Sequence, residues 1–498
     1  MRYVSTRDNQ VKVTAARAIA QGISKDAGLF VPESLPVLSR ARLEALLDKS
    51  YVQRAADVLA DFLTDFTPEE IADSVQAAYG TGNFAAEKVA PLTALTDSAY
   101  LLELWHGPTC AFKDMALQLL PYLLTLSAKK EADGKEIVIL VATSGDTGKA
   151  ALEGFKDVSG TRILVFYPQD GVSNIQKRQM ASQEGANVAV QGVYGNFDDT
   201  QTGVKQIFTD NALAERLAAK NLMFSSANSI NWGRLVPQIV YYVSAYCDMV
   251  QSGAVALGDK VNVCVPTGNF GNILAAYYAA EMGVPLGKLI CASNINNVLA
   301  DFLHTGVYDR RRELHLTSSP SMDILISSNL ERLLYDFSGR DDKLIDALMQ
   351  ELMTKGYYAV PAAIKEKMDE RFWGGFVDEA TVAATIRETY QTKGYLMDTH
   401  TAVGMAVYGQ YAAQTGDTTK TIIASTANPY KFSESILEAL DAPVADAQDD
   451  FASVDALHAL TGAPVPGAIL RLKELPIRFT QSCQKDEMVR AVEEMLGL

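Results

Sequence analysis

Three times in this chain a short, nearly unbroken apolar run ends in a cluster of Gly, Ser, Thr or Asn that opens into a helical pattern. The segments are "EIVILVATSGDTGKAALEGF" (136–155), "KVNVCVPTGNFGNILAAYYAAEMG" (260–283) and "TKTIIASTANPYKFSESILEAL" (419–440). Between the first two, "TRILVFYP" (161–168) and "ANVAVQGVYG" (186–195) read as further strands with few polar interruptions. A strand that is apolar at every position, rather than at alternate ones, is buried on both faces. Strands of this kind alternating with helices predict an α/β fold with mostly parallel sheets covered by helices on both sides. Residues 1–95 have a different rhythm, with turn signals in "KDAGLFVPESLP" (25–36) and helical spacing in "ARLEALLDKSYVQRAADVLADFL" (41–63).

With 498 residues, 48% of them hydrophobic, the chain is long enough for two to four domains. A net charge of −16 repels a phosphate backbone and excludes nucleic acid as an expected partner. The opening "MRYVSTRDNQVKV" lacks an apolar signal core, and no stretch approaches the ~20 apolar residues of a membrane span. A cytoplasmic location and no membrane contact are expected. Cys110, Cys247, Cys264, Cys291 and Cys483 are scattered, without CxxC pairs or histidines at metal spacing, so free thiols and no metal are expected.

Ligands of parallel sheets bind beyond the carboxyl ends of the strands, where the polar clusters fall. "PTGNFGN" (266–272) puts Gly268 and Gly271 where amides meet an anion at a helix N-terminus; it reads either as a phosphate cradle or as an ordinary strand-to-helix turn. "TSGDTGK" (143–149) is not a nucleotide P-loop, because Gly145 and Gly148 are too close and Ala150 stands where Ser or Thr is needed. Its Ser144, Asp146 and Thr147 suit either a bound carboxylate or phosphate, or a helix cap. "HGPTCAFKDMALQ" (106–118) sets Lys113 among apolar and small residues at the mouth of a helix. Desolvation and the helix dipole both favour its neutral, nucleophilic form, unless it is a surface lysine paired with Asp114. An activated lysine, a phosphate cradle and a carboxylate loop are together the parts needed to bind pyridoxal 5'-phosphate as a Schiff base.

These segments, with "NSINWGRLVPQIVYY" (228–242), "STANPYKF" (425–432), "YVSTRDN" (3–9) and "ISKDAGLFVPESLP" (23–36), occur in an order that resembles threonine synthases of the long bacterial and fungal type. The resemblance covers nearly the whole chain. It implies a tryptophan synthase β-like fold (fold type II of the pyridoxal phosphate enzymes), with two parallel-sheet α/β domains, a cofactor cleft and an extra N-terminal domain. The expected division is an N-terminal domain at 1–95, a domain at 96–240 with the lysine and carboxylate loop, and a domain at 241–435 with the phosphate loop. A segment at 436–498 is expected to complete the large domain. The implied reaction takes O-phospho-L-homoserine and water to L-threonine and phosphate. By the same resemblance Lys113 is the catalytic Schiff-base lysine, and Gly268, Asn269, Phe270, Gly271 and Asn272 hold the cofactor phosphate. Thr426 faces the pyridine nitrogen; Ser144, Asp146 and Thr147 hold the substrate α-carboxylate; Asn231 and Arg234 are further substrate or structural groups. A monomer or weak homodimer is expected.

Two other readings stand beside this one: a phospholyase or dehydratase of the same fold that releases a 2-oxo acid, and a binding protein without turnover. His304, His315, His400 and His458 share no pattern and are expected to be packed or surface residues. His106 leads towards Lys113, Cys110 reads as a buried thiol, and "YDRRREL" (308–314) as a solvated basic surface.

Overall fold

The apolar runs between 136 and 193 become neighbouring strands in the computed structural model of the chain, which describes residues 1–498 except 81, 133, 144, 170, 171, 196, 209 and 445–450. Their sheet has five parallel strands, ordered Ser482–Cys483, Val188–Val193, Thr161–Pro168, Glu136–Ala142 and Leu222–Ser225. Ile137 to Val141 are all fully buried, as double-sided coverage requires. A second sheet has six strands, ordered Phe372–Phe376, Leu286–Ser293, Val261–Pro266, Thr421–Ser425, Ala99–Glu103 and Leu92–Ala94, parallel except for the last.

Strand membership differs from the sequence-based division in two places. Ala99–Glu103, expected in the 96–240 unit, pairs with Thr421–Ser425 and belongs to the six-stranded sheet. The 436–498 segment divides: Phe451, Val454, Leu457, Ile469 and Leu472 pack with the six-stranded sheet, whereas Cys483, Met488, Val492 and Leu496 pack against Val138 and Leu140 of the five-stranded one. The reason is physical. Backbone pairing joins strands far apart in sequence, and the local apolar pattern carries no information about the partner.

Residues 1–79 supply a three-stranded antiparallel sheet (Lys12–Val13, Tyr3–Ser5, Phe30–Pro32) and helices at Ala15–Gln21, Arg40–Leu46, Tyr51–Phe62 and Pro68–Tyr79. Capping boxes start the last two, Ser50 with Gln53 and Thr67 with Glu70. Ala55, Val58, Leu59 and Phe62 repeat at helical spacing and are fully buried in the same apolar core as the long helix Trp232–Gln251. Trp232 lies between Tyr3, Phe62 and Tyr278, with ring centroids 5.3, 5.7 and 5.9 Å away. Arg54, also buried, donates to Asp248 Oδ1 at 2.6 Å, Ser244 Oγ at 2.9 Å and the Leu46 carbonyl at 2.9 Å. Arg7 forms a two-pronged pair with Glu331 at 2.9 and 2.7 Å. The N-terminal residues are thereby fastened to helices of the main body. No described helix is long and apolar enough to cross a membrane.

Candidate active site

Lys113 ends the loop that follows strand Ala99–Glu103 and precedes the short helix Asp114–Leu117. Two backbone bonds lash this loop to the end of the neighbouring strand: Phe112 N–H to the Thr426 carbonyl at 2.8 Å, and Asn428 N–H to the Cys110 carbonyl at 3.0 Å. Cys110 adopts a left-handed φ of 59°, unfavourable for a residue with a Cβ and tolerated where surrounding structure fixes it. Its thiol is buried, which pushes it up to about 12. Lys113 is 8% exposed. Its Nζ donates to Ser321 Oγ at 3.0 Å and lies 3.6 Å from Asp146 Oδ2 and 4.8 Å from the centre of the Phe112 ring. Burial lowers the amine to about 8; Asp146 opposes the shift, and the charges of Arg234 and Lys431 reinforce it. The surface-lysine alternative, with Asp114 as partner, is not what forms. Asp114 turns back to accept from Thr109 N–H at 2.8 Å and Thr109 Oγ1 at 2.7 Å, and burial pushes its carboxyl up to about 6.

The loop 267–272 joins strand Val261–Pro266 to helix Gly271–Met282. Its carbonyls are drawn outwards: Gly268 accepts from Ser327 Oγ at 2.7 Å, and Asn269 accepts from Asn329 Nδ2 at 3.0 Å. None of the amides of 268–272 has a backbone or side-chain acceptor among the described residues. Phe270 takes a left-handed φ of 62°, and such a turn sets successive amides into a concave anion-binding nest. A Cβ at Gly268 would lie 2.4 Å from the Ser321 carbonyl, so only glycine lets the two loops meet. Asn272 Oδ1 accepts from Tyr242 OH, while its Nδ2 is buried without a partner among the described residues.

In the loop 143–149, Ser144 lies outside the described residues. Thr143 Oγ1 accepts from Gly145 N–H at 3.0 Å and Gly148 N–H at 2.9 Å, so a residue other than the expected Asp146 or Thr147 orders the turn. Asp146 opens helix Asp146–Phe155 and is buried. Burial raises its carboxyl, but Lys431 and Lys113 outweigh this and hold it well below the usual range. An ionised carboxylate has no proton to offer a second carboxylate, so of the Asp146 groups it is the backbone amide, not the side chain, that suits the α-carboxylate role the resemblance implies. The amides of Asp146 and Thr147, with no backbone acceptor among the described residues, and the Thr147 hydroxyl remain as donors.

Of the two readings of Asn231, substrate or structural group, its hydrogen bonds match the structural one. Its Nδ2 donates to the Ile19 and Ser226 carbonyls, both at 3.0 Å, and its Oδ1 accepts from Gly233 N–H at 2.9 Å, which makes it a helix cap tied to the N-terminal region. Arg234, one turn on, donates to the Ala227 carbonyl at 2.7 Å and has no carboxylate within ion-pair distance among the described residues. Burial alone lowers it to about 10. A buried guanidinium left without a counter-charge is suited to an anionic ligand.

Sequence reasoning missed three contributors. Lys431, completely buried, pairs with Asp146 Oδ1 at 2.6 Å and donates to the Thr109 carbonyl at 2.9 Å. Ser321 reaches Lys113 from a segment held by Asp323, which accepts from Asn294, Asn296 and Thr317 at 2.8, 2.9 and 2.7 Å. His400 is not a bystander either: its Nε2 accepts the Ser321 N–H at 3.1 Å and its Nδ1 contacts Asp398 Oδ2 at 2.7 Å, an arrangement that requires the proton on Nδ1. The "YKF" of "STANPYKF" was the one local signal, a lysine in an otherwise apolar stretch.

The donor set fits a pyridine aldehyde carrying a phosphate. There is an amine held near neutrality, a nest of unpartnered amides with an orphaned amide nitrogen beside it, and a buried Thr426 whose hydroxyl has no partner among the described residues. Comparisons agree with this chemistry. Residues 2–79 match the family described as Threonine synthase N terminus, 82–426 the Pyridoxal-phosphate dependent enzyme family, and 401–495 the family described as Threonine synthase, C-terminal. The chain is 42% identical to human Threonine synthase-like 1 over 88% of its own length, and spans 60% of that relative. It is 37% identical to the threonine synthase of Pseudomonas aeruginosa, covering 88% of this chain and 90% of that one. A crystal structure of PLP-bound threonine synthase from Brucella melitensis superposes with a TM-score of 0.88 at 34% identity, over 99% of both chains. By these three matched regions, the chain belongs to the threonine synthase family of pyridoxal-phosphate dependent enzymes.

Proposed function

We propose that the protein converts O-phospho-L-homoserine and water into L-threonine and inorganic phosphate, with pyridoxal 5'-phosphate as cofactor. The observation that carries this reading is a buried Lys113 amine, lowered to about 8, in a chain related to threonine synthases over nearly its full length. In this reading Lys113 bonds the cofactor aldehyde, and the amides of Gly268, Asn269, Phe270, Gly271 and Asn272 hold its phosphate. The Thr426 hydroxyl meets the ring nitrogen without imposing a charge, whereas a carboxylate there would hold that nitrogen protonated. Ser144, the Thr147 hydroxyl and the amides of Asp146 and Thr147 take the substrate α-carboxylate, and Arg234 takes an anionic group of the substrate. When bound, the cofactor supplies a conjugated electron sink for charge that develops on the substrate carbons. With the cofactor bound, Lys113 Nζ would be placed to take the proton from the substrate Cα and to carry protons to and from Cβ. Ser321 Oγ, 3.0 Å from Nζ, keeps the amine aimed.

We also infer a cytoplasmic enzyme, acting as a monomer or weak homodimer. Five unpaired, buried cysteines support a reducing compartment. The test is to supply O-phospho-L-homoserine to the purified protein and follow phosphate, threonine and 2-oxobutyrate together. Equal release of phosphate and threonine is expected. Phosphate with 2-oxobutyrate instead would identify a phospholyase, and neither product would overturn the reading.

A further inference from the structure

The Asp146 carboxylate lies between two lysines but is shared unequally. Oδ1 carries Lys431 at 2.6 Å and Gln176 Nε2 at 2.8 Å, whereas Oδ2 faces Lys113 at 3.6 Å, beyond a direct hydrogen bond. Lys431 is completely buried, and its other acceptor is the Thr109 carbonyl at 2.9 Å. Its two partners come from different parts of the fold. Asp146 opens a helix of the five-stranded unit, Thr109 belongs to the loop that delivers Lys113, and Lys431 itself follows strand Thr421–Ser425 of the six-stranded sheet.

Three charged groups face the Lys113 amine: Asp146, Lys431 and Arg234. Asp114, although adjacent, is turned away onto Thr109. With every amine protonated, the site holds one anion against three cations at low dielectric, so one proton is readily given up. Lys113 contacts a serine hydroxyl, which serves a neutral amine as well as a charged one.

We infer that Lys431 is a positioning residue that claims the Asp146 carboxylate, so that the Lys113 amine stays free to gain and lose its proton. Without the Lys431 charge, Asp146 would have Lys113 as its one remaining cation within ion-pair distance among the described residues, and the pair would fix Lys113 as an ammonium. The carboxylate in this loop thus balances charge in place of binding substrate. The inference rests on Lys113 being the amine that meets the cofactor.

The test uses cofactor-free protein. Competitive acetylation across neutral to alkaline pH, read by mass spectrometry at the Lys113 peptide, gives the titration of that amine directly. Lys431→Met is expected to raise the midpoint by about one unit, which slows labelling about tenfold at a fixed pH below it. Lys431→Arg should restore the parent midpoint, and Asp146→Asn should lower it, because the two remaining cations then act unopposed. An unchanged midpoint in Lys431→Met overturns the inference. Should that variant fail to fold, a midpoint that does not fall in Asp146→Asn overturns it equally. Borohydride reduction of the cofactor-loaded parent, followed by peptide mapping, tests the underlying reading separately: a tag on any lysine other than Lys113 defeats that reading, while the titration still reports on Lys431.

Discussion

Phe112 donates its backbone N–H to the carbonyl of Thr426 at 2.8 Å, so the residue before the buried lysine is fixed to the residue just beyond the strand Thr421–Ser425. An isolated antiparallel bridge between Ala111 and Ala427 extends the contact. Backbone bonds of this kind survive side-chain substitution, which allows the two side chains to be tested with their spacing preserved.

Thr426→Val keeps size and backbone and removes only the hydroxyl. Cofactor binding should persist, with kcat lowered by about 10- to 100-fold, in the lower range for loss of a single polar catalytic group. Steady-state kinetics alongside the visible spectrum of bound cofactor check this. An unchanged kcat would remove Thr426 from the mechanism.

Lys113 is held at about 8, below its ordinary 10.5. Reaction of cofactor-free protein with pyridoxal 5'-phosphate should therefore accelerate about tenfold per pH unit below 8 and level off above it. Stability follows the same linkage. Between about 8 and 10.5 the unfolded chain binds more protons than the folded one, so stability rises with pH across that window. Below it, burial of the charged amine costs about 3 kcal/mol, and Lys113→Met should recover much of that cost and flatten the pH dependence in urea titrations.

Gly268→Ala should loosen the site without touching any catalytic group. The new methyl would meet the Ser321 carbonyl at 2.4 Å, forcing apart the loop that carries the amide nest and the segment that carries the Ser321 hydroxyl. We expect overpacking of about 1–3 kcal/mol. Equilibrium dialysis should show about fivefold weaker cofactor binding at the lower end of that range, and more above it.

Arg54→Met leaves the partly buried Asp248 against an apolar side chain and ends the contacts to Ser244 and Leu46. Removal of one partner of a buried pair costs about 3–5 kcal/mol. Urea unfolding should register the loss, and an unchanged midpoint would mean that the N-terminal helices are held by apolar packing alone.

The layout of strands and helices was legible because burial on both faces leaves an uninterrupted apolar run, which is a local property. Lys113 and the loop at 266–272 were legible for a related reason, since each places a polar function where its neighbours are apolar or glycine. What escaped was non-local. Nothing around residue 99 announces that its strand pairs with residue 421, and nothing in "STANPYKF" says that its lysine meets the aspartate of "TSGDTGK". Residue type also could not say what each group touches: the Asp146 carboxylate is occupied by lysines, and His400, expected to be a packed or surface residue, is buried and also supports Ser321.

The bond between Phe112 and Thr426 also bears on how the protein is made. Synthesis delivers Lys113 early, yet the groups that shape its surroundings, Ser321, His400, Thr426 and Lys431, follow only after most of the chain has emerged. Contacts of such long sequence separation form late, because a large loop must close before they yield any stabilisation. During translation the amine is an ordinary, hydrated lysine with no distinctive reactivity. It becomes chemically competent only once residue 431 has emerged and packed, so a ribosome-bound fragment ending before residue 431 would carry the lysine without its reactivity.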